Sequence, residues 1–333
     1  MKRAGVRIGV VGATGALGGE VLVELDASGL AIAELVPFAT DASLGEDVEF
    51  QGEVWPVVTE APALQGLDLL LCCAPPAASL DWVRAALRAP LPCIDCSGSL
   101  ADRPDVALRA AALPALPGSE GSPVVATPTA AVLAWSLALA PLHRAAGVRR
   151  VVGTVLETAG ASGRDGIAAL SAGSLALFNQ QELSEDAAAG RPLAFDCHPA
   201  LGSVGEDGQS AGERALGAGI RRLLGADIRV AATIAQVPAF VGQASALAVE
   251  TLRPLDPKQA EDLLAQADGV ELWERGTEGP NLRVAAGRDR VLVGRVRRDP
   301  SAAGGLLLWL AADALRLSAA NAVALAVARL RAH

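Results

Sequence analysis

The feature that most constrains this chain is Gly12-Ala13-Thr14-Gly15-Ala16-Leu17-Gly18, set directly after a β-branched run at Arg7–Val11. Glycines three residues apart between a strand and a helix allow a tight turn. They also let the backbone approach a pyrophosphate, which then rests on the helix N-terminus. Gly19–Ser28 continues with Val21, Leu22 and Leu25 at helical spacing. Ala33–Phe38 reads as a second strand, and Asp68–Ala74 as a strand buried on both faces and ended by Pro75-Pro76. Leu80–Arg88 reads as an amphipathic helix, with Pro92–Asp95 and Pro123–Ala126 as further strands. Strands alternating with helices predict an α/β fold, a Rossmann-type doubly wound parallel sheet. In such a sheet the glycine turn is expected to be a dinucleotide loop, the alternative being a strand-turn-helix that merely needs glycine.

Near residue 127 the pattern changes. A helix is expected from Ala130 to Ala140, capped by Thr129 and ended by Pro141, which leaves His143 on a solvated helical surface. Arg149–Glu157, Ile228–Val237, Ala244–Leu252 and Arg290–Val296 read as longer strands with partial alternation. Arg164–Leu177, Glu213–Leu224 and Leu255–Gln266 read as helices, and so does the Ala/Leu-rich stretch Leu308–Arg331. This second part has the pattern of an antiparallel α+β domain. A length of 333 residues suits two domains, at about 150 residues each.

Composition removes several chemistries. There is no Tyr, so no Tyr acid; Lys occurs only at Lys2 and Lys258, neither in a Schiff-base or P-loop setting. The histidines are His143, His198 and His333. A net charge of −9 argues against a surface for nucleic acid, which needs clustered Lys and Arg. The start resembles a signal peptide, but its apolar run carries the glycine turn and reaches Glu20, which fits a strand and turn. The uncharged stretches Val124–Leu142 and Val230–Val249 are interrupted by Pro128, Pro141 and Pro238 and read as buried elements, not membrane spans. Cys72, Cys73, Cys93, Cys96 and Cys197 are odd in number, and the first four lie in or beside apolar runs. That suits reduced thiols in a cytoplasmic protein. Cys93-x-x-Cys96 has no second pair to complete a zinc site, so no metal is expected.

Several segments then resemble, in order, the aspartate-semialdehyde dehydrogenases. They are the glycine turn, Cys93-Ile94-Asp95-Cys96-Ser97-Gly98-Ser99, Pro141–Val148, Leu193-Ala194-Phe195-Asp196, Val237-Pro238 with Gly242, and Ala319-Ala320-Asn321-Ala322-Val323. The resemblance implies a NAD(P)-binding Rossmann domain at 1–127 closed by 311–333, and an α+β dimerisation (substrate-type) domain at 128–310. It places the cofactor on Gly12, Thr14, Gly15, Ala16, Leu17, Gly18, Asp41, Ser43 and Asn321. The family reduces an acyl phosphate to an aldehyde with NADPH, in the biosynthesis of Lys, Met and Thr. A Cys at a helix start forms a thioacyl intermediate, a His moves the proton, and Arg and Lys hold the anions.

The departures fall on that machinery. The nucleophile position is Ala130, the base is Gln243, and the clamp arginines are Gln236 and Ala101. The substrate Lys falls near Ala215, and the family's Gln on Leu156 or Glu157. In lacking the Cys the chain is similar to the Usg branch of these homologues. The resemblance therefore implies a non-catalytic or repurposed nucleotide-binding homodimer. The alternatives are an active NADP-dependent dehydrogenase, or a related oxidoreductase with a displaced thiol at Cys73 or Cys96. The arginine that would hold an adenosine 2′-phosphate falls on Ala42, beside Asp41, which favours NAD over NADP.

Overall fold

The computed structural model describes residues 5–40, 43, 45–59, 64–115, 121–183, 191–199, 202–274, 276 and 278–331. They form two compact units, 1–129 with 318–333, and 130–317. The sequence reading put these boundaries at 127/128 and 310/311.

In the first unit the elements run β1 (Val6–Val11), α1 (Ala16–Ala27), β2 (Ile32–Phe38), β3 (Asp47–Phe50), β4 (Glu53–Pro56) and β5 (Leu69–Cys72). They continue with α2 (Pro76–Arg88), β6 (Cys93–Asp95), β7 (Ala107–Leu108) and β8 (Val124–Ala126). A six-stranded sheet has the order β2-β1-β5-β6-β8-β7, with every pair parallel. This is the expected doubly wound α/β arrangement. Its core joins Ile8, Val10, Leu69 and Leu71 to Val21, Leu22 and Leu25 of α1 and to Ala319, Val323 and Ala326 near the C-terminus. The β3–β4 hairpin turns at Gln51 and Gly52, both at positive φ, as a two-residue hairpin turn matching the twist of its strands requires.

The second unit holds α3 (Ala130–Ala146), β9 (Val148–Glu157), α4 (Gly163–Phe178), β10 (His198–Pro199), α5 (Ala211–Leu224), β11 (Arg229–Gln236) and β12 (Gln243–Thr251). Then come α6 (Pro257–Ala265), β13 (Val270–Leu272), α7 (Leu282–Ala285), β14 (Val291–Arg298), β15 (Gly305–Ala312) and the first turn of α8 (Ala314–Arg331), the rest of which belongs to the first unit. Its seven-stranded sheet runs β10-β11-β9-β12-β15-β14-β13. The sheet is mixed, not antiparallel throughout: β11 pairs parallel with β9, and β13 with β14.

Three expectations are corrected. Leu308–Ala312 is not helical; it belongs to β15, paired to β12 and β14. The helix begins only at Ala314, where Asp313 accepts from the Leu315 and Arg316 amides. Pro141 does not end α3. The helix runs on to Ala146 because it is buried nearly all round, with Trp135 donating its indole N–H to Ser245 Oγ at 2.9 Å. His143 is half-buried, not solvated, and its Nδ1 accepts from the Val148 amide at 3.0 Å, tying the end of α3 to β9.

Candidate functional site

In the first unit the turn after β1 is built by contact distances. Gly12 has φ +77°, and a Cβ there would lie 2.7 Å from the Ala74 nitrogen and 2.8 Å from its Cα. A Cβ on Gly18 would lie 2.1 Å from the Gly12 carbonyl oxygen. The Phe38 carbonyl accepts from Gly12 and Ala13, and Gly12 accepts from the Gly15 amide at 2.9 Å. Gly15 is the N-cap of α1, and no side chain caps that end. Its first-turn N–H groups and the helix dipole therefore suit an anion, and the glycines hold open the volume that side chains would fill. These residues fit the pyrophosphate of a dinucleotide. Ala16 opens α1, Leu17 packs on the unit's core, and Thr14 Oγ1 lies 3.1 Å from Ser43 Oγ. Asp41 and Ala42 lie outside the described residues.

A second loop at the ends of the parallel strands follows β6. Asp95 is fully buried and accepts from the Ser97 amide and hydroxyl, the Ser99 hydroxyl and the Leu100 amide. Four donors offset the cost of burying this carboxyl. Ala101 follows, its amide bonded to the Gly98 carbonyl. Asn321 Oδ1 accepts from the Ala111 amide at 2.7 Å, and its Nδ2 donates to the Arg109 carbonyl at 3.4 Å. Its amide is thus engaged with the 109–111 backbone. Among the thiols, Cys72 and Cys93 are buried with sulfurs 3.6 Å apart. Cys96 Sγ donates to the Ile94 carbonyl at 3.8 Å, and the neighbouring Cys73 thiol together with burial pushes the Cys96 thiol up, suppressing its thiolate. No group of three or more metal-ligating side chains occurs among the described residues.

In the second unit β-pairing lines up a row of residues across four adjacent strands. His198 pairs with Gln236, Gln236 with Glu157, and Glu157 with Gln243. The structure therefore brings together two positions singled out in the sequence, Gln236 and Gln243, and inserts Glu157 between them. Register with Gln243 assigns this place in the row to Glu157; Leu156 pairs with Ala244. Gln243 Nε2 donates to Glu157 Oε1 at 2.6 Å. Burial raises the Glu157 carboxyl from 4.5 to about 7, despite that stabilising hydrogen bond. Gln243 Oε1 is buried without a partner. Thr158 Oγ1 donates to the Gly242 carbonyl at 2.8 Å, joining the two loops beyond the row. Ala130 opens α3 in this unit, and Ala101 belongs to the first. His198 Nε2 donates to the Pro192 carbonyl at 2.8 Å, a structural role. Glu157 is the residue that sequence reasoning undervalued, because its ionisation depends on burial by distant strands.

Comparison with known proteins matches residues 7–119 to the semialdehyde dehydrogenase NAD binding domain and residues 139–317 to the semialdehyde dehydrogenase dimerisation domain. This chain belongs to the semialdehyde dehydrogenase family. Among its relatives, the aspartate-semialdehyde dehydrogenase of Synechocystis sp. is 30% identical over 335 residues, covering 96% of both chains. Aspartate-semialdehyde dehydrogenase 2 of Vibrio cholerae is 31% identical over 326 residues, again covering 96% of both. The crystal structure of aspartate semialdehyde dehydrogenase II from Vibrio cholerae superposes with a TM-score of 0.92 at 29% identity, covering 98% of each chain. The Candida albicans enzyme with NADP shares the fold, with a TM-score of 0.70 at 15% identity over 98% of each chain. Within this family the chain thus carries both a NAD-binding and a dimerisation domain. No helix among its described residues is long and apolar enough to cross a membrane.

Proposed function

We propose that this semialdehyde dehydrogenase homologue is a dinucleotide-binding homodimer that no longer carries out the family's acyl-transfer chemistry. The observation that carries the reading is the content of the second unit's site. α3 opens on Ala130, and Gln243 and Gln236 stand where the resemblance puts the histidine and an arginine, so the family's thiol, imidazole and guanidinium are absent from those positions. Removing one member of such a catalytic unit already costs several orders of magnitude in rate, and here the loss is joint. A chain without the nucleophile resembles the Usg branch. The alternative, a displaced thiol, has its best candidate in Cys96, whose raised pKa argues against attack at neutral pH.

The cradle at Gly12–Gly18 supports retained nucleotide binding, and Ala42 beside Asp41 supports NAD over NADP. The homodimer reading rests on the family's dimerisation domain and on a depression of 290 Å³ on the second sheet. Thr154, Thr233, Ala246, Leu247, Leu307 and the charged Arg297 are among the residues that line it. Five free cysteines support a reducing, cytoplasmic setting.

The test is phosphate-dependent reduction of NADP by aspartate semialdehyde with purified protein. No turnover above background is expected. A rate within the usual enzymatic range of ~1–10³ per second would overturn the reading.

A further inference from the structure

Helix α4 (Gly163–Phe178) is apolar in composition and bare in the protomer. It carries charge only at Arg164 and Asp165, and no residue from Gly166 to Gln181 is charged. Yet of its 16 residues only Gly166 and Leu170 are buried. A helix on the surface of a globular protein keeps charged residues on its solvent side. In the same unit α5 does so with Arg214, and α6 with Lys258 and Asp262. The outer face of α4 has no such residues, so its sequence fits a helix that something else covers.

The bare surface is richest at the end of the helix. Leu175 is 61% exposed and Phe178 75%. Phe178 meets Phe195, itself 66% exposed, edge to face with ring centroids 5.6 Å apart. At roughly 150–250 Å² per aromatic side chain, the two rings alone leave about 300 Å² in water. Patches of that size on a protomer mark interaction sites. Phe195 also has φ +57°, in the left-handed region that a bulky residue rarely adopts. The backbone is thus held in a costly conformation that presents a ring outward, and within the protomer only Phe178 stacks against it.

We propose that Leu175, Phe178 and Phe195, with the neighbouring outer face of α4, are buried against a second copy of this chain. The inference rests on the homodimer reading and assigns it a surface. Two observations select a copy of the chain as the occupant. The whole patch lies within residues 139–317, which match the family's dimerisation domain. The patch is also uncharged, so joining two copies about a two-fold axis opposes no like charges across it. Permanent homodimer interfaces are of this apolar, aromatic kind.

The experiment uses the full chain. Sedimentation velocity at micromolar concentration compares wild type with Leu175→Glu/Phe178→Glu and with Val54→Glu, a control at a 65% exposed position of the first unit. Wild type should sediment as a dimer of the 33.7 kDa chain, and Val54→Glu should match it. The double variant, melting as wild type does, should dimerise at least about a hundredfold more weakly, since each substitution enters the interface twice. Hydroxyl-radical footprinting of the wild-type dimer needs no variant. Phe178 and Phe195 should be oxidised several-fold less than their exposure in one protomer gives, measured against exposed Leu87 of the first unit. A folded double variant as dimeric as wild type overturns the proposal, and so does equal dissociation of Val54→Glu. Full labelling of both rings in a wild-type dimer also overturns it and leaves the patch to a different partner. A monomeric wild type defeats the homodimer reading itself, and this assignment with it.

Discussion

Replacing Glu157 by Gln should stabilise the protein, and do so only at neutral to alkaline pH. The carboxyl is held in the row between β11 and β12 with one hydrogen bond from Gln243, and burial raises it from 4.5 to about 7. A folded-state pKa above the unfolded one means that the folded protein binds the proton more tightly. The carboxyl therefore costs stability progressively as pH rises from below 4.5, and the full cost is present above 7. At about 1.4 kcal/mol per tenfold change, the cost is about 3 kcal/mol at pH 8 and under about 1 kcal/mol at pH 5. A glutamine of the same shape carries no charge, and its amide can also donate to the orphaned Gln243 Oε1. For a unit of this size, about 3 kcal/mol corresponds to a rise of roughly 6–12 °C in Tm. Scanning calorimetry of wild type and Glu157→Gln at both pH values reads the difference, since every other titrating group is common to the two proteins. A variant that melts no higher than wild type at pH 8, or one whose gain is the same at pH 5, would refute the reasoning.

Gly18→Ala should weaken dinucleotide binding at least tenfold, because its Cβ would sit 2.1 Å from the Gly12 carbonyl and displace the turn; calorimetry with NAD checks this. Ala130→Cys alone should not restore turnover in the semialdehyde assay, because Gln243 cannot move the proton and Gln236 cannot clamp the substrate anion. NAD should bind more tightly than NADP by calorimetry at moderate salt, since no arginine takes the Ala42 position. Light scattering at micromolar concentration should return a dimer of the 33.7 kDa chain.

Much of the architecture was readable because the deciding signals are local. Glycines at 12, 15 and 18 between a β-branched run and a helical one specify a turn whose geometry the structure bears out. Where apolar residues run continuously, periodicity loses its meaning. Leu306–Ala312 is as consistent with a buried helix as with a strand, and only its pairing between β12 and β14 decides. Pro141 reads as a break, yet tertiary burial of α3 outweighs the one lost backbone hydrogen bond. The β3–β4 hairpin was not expected from the sequence, because its two strands are only four residues long and carry a brief alternation. Of the site, Gln236 and Gln243 were legible as departures from the family pattern. The role of Glu157 was not, because an acid on a strand is ordinary until register and burial place it beside a glutamine.

The loss of the covalent step is the claim on which the account turns, and intact-protein mass spectrometry reaches it directly. The Cys197→Ser protein, which lacks the exposed thiol, is incubated with an acyl-phosphate mimic at neutral pH and its mass recorded. With Ala130 at the start of α3 and the remaining thiols buried or held protonated, the mass should stay unmodified. A stoichiometric acyl adduct mapping to Cys73 or Cys96 would contradict the account and return the chain to the working dehydrogenases.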